Sequence, residues 1–313
     1  MQGRLITLFG GGGFIGRYVA QHLLAAGARV RVAQRNIQNA QHIKPLGNLG
    51  QVQFMAADIR KPDSVARAVQ GADGVVNLVG LLKGDFQAFH VEGAANIARA
   101  AAAAGCAALV QISSIGADPG APSRYGRSKG DGEVAVLREF PGATILRPSI
   151  VFAREDQFVN RFAGLIALSP VIPVLGGKAR FQPVFAGDVA AAVAACIADP
   201  EAHAAKTYEL GGPDIISMAE LNAMIARETG RNTVFVDVPD MVSGVLASAT
   251  GWLPGAPITR DQWLMLQKDN VVGEGMAGLA DLGIAATPMA AVVPDYLVRY
   301  RKHGRFTKKP SRA

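Results

Sequence analysis

At 313 residues, half of them hydrophobic and 18% charged, the chain can bury a sizeable core, which excludes a disordered protein and leaves room for two lobes or one large domain with an appendage. Its two cysteines, Cys106 and Cys196, form no C-x-x-C pair, which excludes a disulfide scaffold, a zinc ribbon and a thioredoxin motif and fits a reducing compartment. The formal charge of +7 is concentrated at the end: Arg299, Arg301, Lys302, Arg305, Lys308, Lys309 and Arg312 come without an acid, and residues 1–298 are neutral.

Short apolar runs at residues 5–9, 30–33, 52–55, 74–78, 109–112 and 144–146 predict strands, several too continuously apolar to have a wet face. Such strands belong in a parallel sheet covered on both sides. Helical patterns at 14–26, 64–69, 86–104 and 124–139 alternate with them. The alternation predicts an α/β fold, a doubly wound parallel sheet of the Rossmann type over residues 1–150. Past residue 150 the pattern loosens into a smaller carboxyl-terminal α/β lobe, 151–298, where Ser217-Met-Ala-Glu220 and Thr259-Arg-Asp-Gln262 match the capping box that opens a helix. A ligand cleft between the lobes is expected.

The longest uncharged run, 241–259, is broken by Gly244, Gly251, Pro254, Gly255 and Pro257, short of the ~20 continuous apolar residues that a spanning helix needs. Strand-like residues from Arg4 and glycines from Gly10 lead us to expect no signal or transit peptide. The basic tail, 299–313, either frays in solvent or meets an anionic partner or membrane surface.

Gly10-Gly-Gly-Gly13-Phe-Ile-Gly16 follows the first strand directly and opens the first helix. Glycine permits the tight turn and lets a diphosphate approach the backbone, and the helix start offers free amides and partial positive charge. In this setting Gly10, Gly13, Phe14, Ile15 and Gly16 are candidate dinucleotide-binding residues. An acid at the end of the second strand would hold the ribose hydroxyls of NAD(H). That position reads Ala33-Gln34-Arg35, and Arg17 follows the loop. Two guanidinium groups in place of a carboxylate favour NADP(H) over NAD(H), because arginine bonds phosphate oxygens in pairs. Asp58-Ile59, after the third strand, is placed to border the adenine.

Tyr125-Gly-Arg-Ser-Lys129 sets a phenol and an ammonium one helical turn apart on one face. In a hydride-transfer site the lysine and the nicotinamide cation lower the phenol pKa, so that the tyrosine exchanges a proton with an alcohol or carbonyl. Ser113-Ser114, ending the fifth strand, can orient the reacting oxygen. Ser114, Tyr125 and Lys129 are the candidate catalytic set, although the serines would also serve as strand-end caps and Lys129 as a ribose ligand without turnover. No metal-ligand cluster stands out.

Here the chain resembles the short-chain dehydrogenase/reductase superfamily in its extended and atypical branches. Residues 10–16, Asn77-Leu-Val-Gly80, Ser113-Ser114, Tyr125/Lys129 and Leu146-Arg147-Pro148 occur in the superfamily's order, and Val184-Phe-Ala-Gly-Asp188 before an alanine-rich helix resembles the extended branch. The resemblance carries Val79 and Pro148 over as cofactor contacts. A closer likeness is to the NAD(P)H-binding accessory subunit family of respiratory complex I, the NADH:ubiquinone oxidoreductase. It rests on Phe9-Gly-Gly-Gly-Gly-Phe-Ile-Gly-Arg17, Ser123-Arg-Tyr-Gly-Arg-Ser-Lys129, Thr259-Arg-Asp-Gln-Trp-Leu-Met-Leu-Gln-Lys-Asp-Asn270 and Pro294-Asp-Tyr-Leu-Val-Arg-Tyr-Arg301.

This resemblance implies a tightly held NADP(H) with a structural or assembly role where the peripheral and membrane arms of the complex meet, while electrons run through other subunits. Members of that family need not keep the tyrosine, but this chain has both Tyr125 and Lys129. The absent presequence implies a bacterial protein, peripheral on the cytoplasmic face of the inner membrane, or a mature form without its leader. The competing reading is a free NADP-dependent reductase or epimerase acting on a small carbonyl or sugar nucleotide. Nucleic acid is not an expected partner, because the charge lies in the tail without an aromatic-rich basic motif.

Overall fold

The computed structural model describes residues 1–239, 242–244 and 259–306. The apolar runs of the first half form β1 (Leu5–Phe9), β2 (Arg29–Gln34), β3 (Val52–Ala56), β4 (Gly74–Asn77), β5 (Ala108–Ile112) and β6 (Thr144–Pro148). Every residue of β1, β4 and β5 is buried, as expected of strands with helices on both faces. The intervening helices are α1 (Phe14–Ala25), α2 (Pro62–Val69), α3 (Gly93–Ala103) and α4 (Arg124–Glu139). The stretch expected as one helix from 86 to 104 is instead a widened π turn, Gln87–Glu92, running into α3.

Among the described residues, one parallel sheet has seven strands in the order Thr207–Leu210, β6, β5, β4, β1, β2, β3. The chain winds outward from β1 to β3, then returns to β4 on the other side of β1. That reversal makes the crevice beyond the carboxyl ends of β1 and β4 the natural ligand position. Phe9, Ile6, Leu8, Ile97, Leu109 and Ile145 are fully buried around the sheet, each contributing about 1.5–3 kcal/mol by leaving water.

The chain divides into two compact units, and residues 186–210 and 273–285 belong to the first together with 1–148. The chain leaves the first unit after Pro148 and later returns to it twice. The alanine-rich helix Ala186–Ala198 packs against α1, and Thr207–Leu210 extends the sheet by pairing with β6.

The second unit has helices Phe158–Leu168, Met218–Thr229, Arg260–Leu266 and Met289–Leu297 and a parallel strand pair, Val171–Leu175 with Val234–Val238. Both expected capping boxes form, Ser217 with Glu220 and Thr259 with Gln262. Its core includes Phe152, Phe181, Ile225, Val293 and Leu297. The basic segment begins inside this unit. Arg301 is buried and its Nε donates to the Glu228 carbonyl at 2.8 Å, and the Arg299 guanidinium bonds the Asn160 side chain. Lys302 is exposed, whereas the Arg305 side chain and Lys308, Lys309 and Arg312 lie outside the described residues.

Candidate functional site

Because the sheet is parallel, all its strands deliver their following residues to one edge, and the candidate residues of the first unit follow those strand ends. The glycine loop follows β1. Gly10 has φ +76°, a left-handed conformation that favours glycine, and its amide donates to the Ala33 carbonyl at 3.0 Å. A Cβ on Gly16 would stand 2.5 Å from the Gly11 carbonyl oxygen, so helix and loop meet at a distance only glycine allows. Gly13 opens α1 with no side chain capping the helix and no acid in its first turn. Backbone amides of Phe14 and Ile15 thus start an uncapped positive helix end, which suits a diphosphate. Arg17 lies half-buried in the same turn.

On the β2–β3 side, Gln34 accepts from the Gly12 amide at 3.1 Å and donates to the Asn36 carbonyl at 2.6 Å, bracing the loop. Arg35 is exposed, with its guanidinium 5.2 Å over the Phe89 ring, and Arg60 lies 4.9 Å from the same ring centre. Arg60 also grips Asp58 through bonds of 3.0 and 2.6 Å. Those bonds hold the Asp58 carboxyl down to about 2, so it is ionised but committed to an arginine. Ile59 is buried against Gly93, where a Cβ would stand 2.5 Å from its Cδ1.

Toward β4–β6, the Asn77 side chain accepts from the Val79 amide at 3.0 Å and donates to Gln111 at 2.9 Å. Val79 faces Gly10, whose Cβ would be 3.3 Å from the valine Cγ2. The Pro148 carbonyl accepts from the Ile115 amide at 3.1 Å, beside the end of β5. There the Ser113 hydroxyl is buried without a hydrogen-bond partner, and the Ser114 hydroxyl lies beside the Tyr125 phenol. A buried orphan hydroxyl is costly, and one beside a glycine cradle fits a polar ligand such as the nicotinamide half of a dinucleotide.

Helix α4 approaches this edge through its glycines. A Cβ on Gly130 would stand 2.4 Å from the Asp118 carbonyl carbon, and one on Gly132 would stand 2.2 Å from the His90 carbonyl oxygen. An ion pair fixes the helix to the sheet: Glu133 takes two bonds from Arg147, 3.0 and 2.6 Å, and Glu209 lies 3.5 Å from the same guanidinium. The buried Lys129 donates to the Ile112 carbonyl at 2.8 Å. Burial pushes its ammonium down to about 8, with Glu133 pulling the other way. Burial raises the Tyr125 phenol, while Ser114 beside it acts to lower it. The phenol is therefore a proton donor at neutral pH, next to a mostly charged lysine.

Gln34, Arg60, Phe89, His90 and Ser128 were not singled out by motif. The spacing of Phe86, Phe89 and His90 at helical intervals is the signal that marks them as one face.

The NAD dependent epimerase/dehydratase family matches residues 6–211. NADH dehydrogenase (ubiquinone) 1 alpha subcomplex subunit 9 of Mus musculus, a mitochondrial protein, is 33% identical over 310 residues, covering 97% of this chain and 82% of the relative. The 40 kDa subunit of Neurospora crassa NADH-ubiquinone oxidoreductase is 30% identical over 318 residues, covering 99% of this chain and 83% of the relative. The chain belongs to this subunit family. Through its first two-thirds it also belongs to the epimerase/dehydratase family, and it has that family's NAD(P)-binding fold. An Escherichia coli NADPH-dependent quinone oxidoreductase complexed with NADPH superposes with a TM-score of 0.76 at 21% identity, covering 93% of this chain and 99% of that one. At that identity the likeness concerns the fold.

Proposed function

We propose that this chain is an accessory subunit of a respiratory NADH:ubiquinone oxidoreductase that retains NADP(H) as a structural group. The observation that carries the reading is likeness along nearly the whole chain, 97% and 99% of it against subunits of two such complexes, and not across the nucleotide-binding half alone. Retained cofactor would be held by the glycine loop and the start of α1, with Val79 and Pro148 along the strand ends. Arg17 and Arg35, helped by Arg60, favour NADP(H), since β2 ends on Gln34 and Arg35 without an acid. When bound, the cofactor brings a hydride donor or acceptor. Tyr125 would hold a proton on its phenol oxygen, Lys129 would stay anchored on Ile112, Ser114 would stay beside the phenol, and Ser113 would find a partner in the ligand.

Among the described residues no helix is long and apolar enough to cross a membrane. Attachment would then be peripheral, through the other subunits and through the basic residues at the chain's end on anionic lipid. The cytoplasmic face of a bacterial inner membrane is the location this reading implies. A second reading, a free NADP-dependent reductase or epimerase on a small carbonyl or sugar-nucleotide substrate, is favoured by the presence of Ser114, Tyr125 and Lys129 together. Affinity purification of the tagged chain from its native membranes, followed by native electrophoresis, tests the two. Comigration with NADH:ubiquinone oxidoreductase activity supports the subunit; recovery as a free protein that oxidises NADPH with a carbonyl substrate contradicts it.

A further inference from the structure

His90 is buried inside the π turn Gln87–Glu92, a rare geometry that widens a helix and recurs at functional positions. Its Nε2 lies 2.9 Å from the backbone amide of Leu81. An amide can only donate, so Nε2 carries no proton and the ring's proton is on Nδ1. Nδ1 faces Ser128 Oγ at 2.8 Å, and Ser128 Oγ in turn donates to the Tyr125 carbonyl at 2.8 Å. The chain of bonds therefore has one direction throughout, from the Leu81 amide to the backbone of Tyr125. The rings reinforce it: His90 stacks on Phe86 at 5.2 Å and 13°, and meets Tyr125 edge-on at 5.7 Å and 86°. Burial first, and the charge of Lys129 second, push the imidazole down to about 4, so this neutral tautomer persists at pH 7.

The two ends of this chain belong to different parts of the candidate site. Leu81 follows Val79, which packs on Gly10 at the loop. Tyr125 begins the turn of α4 that also carries Lys129. We propose that His90 is a positioning residue that ties the segment after β4 to α4 and so sets how the nicotinamide half of a dinucleotide is received between Val79 and Tyr125. The inference rests on the dinucleotide-binding reading of this edge. The adenosine half, near Arg35 and Asp58, does not depend on the His90 bonds.

The full-length protein is titrated with NADPH, read by the fluorescence of the reduced nicotinamide, and with adenosine 2′,5′-bisphosphate, read by calorimetry. The variants are His90→Phe, which keeps a ring on Phe86 but removes both hydrogen bonds, Ser128→Ala, which cuts the chain further along, and His90→Gln, which keeps an acceptor for Leu81. His90→Phe and Ser128→Ala are expected to weaken NADPH about tenfold, and to return its bound emission toward that of free NADPH. Binding of the bisphosphate is expected to stay unchanged, and His90→Gln to recover most of the loss. Unchanged NADPH affinity and emission in His90→Phe would overturn the inference, as would equal losses of both probes in the variants. A wild-type protein that binds neither probe would instead bring down the dinucleotide reading, and this inference with it.

Discussion

Acidification from pH 7 to pH 5 should cost the wild-type protein stability that a His90→Gln variant does not lose. In the folded protein the imidazole is held neutral, with its pKa pushed from the ordinary 6.5 to about 4 by burial and by Lys129. The unfolded chain takes up that proton near pH 6.5, so below this value the unfolded state binds more protons and stability falls as pH falls, levelling off below 4. At about 1.4 kcal/mol per pH unit the whole effect is about 3 kcal/mol, and about 2 kcal/mol of it has appeared by pH 5. Other displaced groups are common to wild type and variant and cancel in the comparison, among them Asp156, whose carboxyl is raised by burial. Asp58 is held at about 2, and the carboxyls of Glu139, Glu220 and Asp269 also lie below their ordinary values, so their contributions are lost in stronger acid. Lys129, moved from 10.5 to about 8, acts between those two values, where stability rises with pH. Urea melts of both proteins at half-unit steps from pH 7 to 5 isolate the term, and parallel curves for wild type and variant would refute the reasoning.

Arg35→Asp should weaken NADP(H) about tenfold or more by removing a charge-assisted phosphate contact, and shift the preference toward NAD(H). Calorimetry with both cofactors decides it, and equal affinity of the wild-type protein for NADH would contradict it. Glu133→Gln leaves Arg147 in a half-buried position with Glu209 at 3.5 Å as its remaining acidic partner, and should destabilise the protein by about 3 kcal/mol; a denaturant midpoint unchanged from wild type would show that the pair contributes nothing. Lys308→Glu with Lys309→Glu should release the protein from anionic vesicles at lower salt, each basic group near such a surface contributing about 1 kcal/mol. Flotation across a salt series reads this directly, and unchanged flotation returns the segment to a solvated tail.

The strands β1, β4 and β5 were legible because fully buried parallel strands are written as nearly continuous apolar runs, β2, β3 and β6 because shorter apolar runs recur between helical patterns, and the glycine loop because only glycine survives contacts such as that of Gly16 with Gly11. Thr207–Leu210 was not legible. Its four residues include Thr207 and Glu209, and it becomes a strand by pairing with β6, where Glu209 meets Arg147. The same limit applies to Arg301, which looks like part of a solvated basic run until Glu228 is found beside it. Asp58 could be placed at its strand end from spacing, but its commitment to Arg60, two residues on, depends on side-chain conformation. His90 carries no motif of its own. The role proposed for it rests on the π turn and on Ser128, and the His90 carbonyl lies against Gly132, a contact across more than forty residues of chain.

In the function proposed above, the cofactor holds the subunit in its working form while Tyr125 performs no required chemistry. The most direct measurement is the amount and activity of assembled NADH:ubiquinone oxidoreductase in cells lacking their own copy of this chain and supplied with Tyr125→Phe or Gly16→Val. A Cβ at position 16 collides with the Gly11 carbonyl at 2.5 Å, so Gly16→Val should abolish cofactor retention and with it assembly. Tyr125→Phe should restore both assembly and activity to the wild-type level. Loss of activity in Tyr125→Phe, or full assembly by a Gly16→Val chain that holds no NADP(H), would contradict the account.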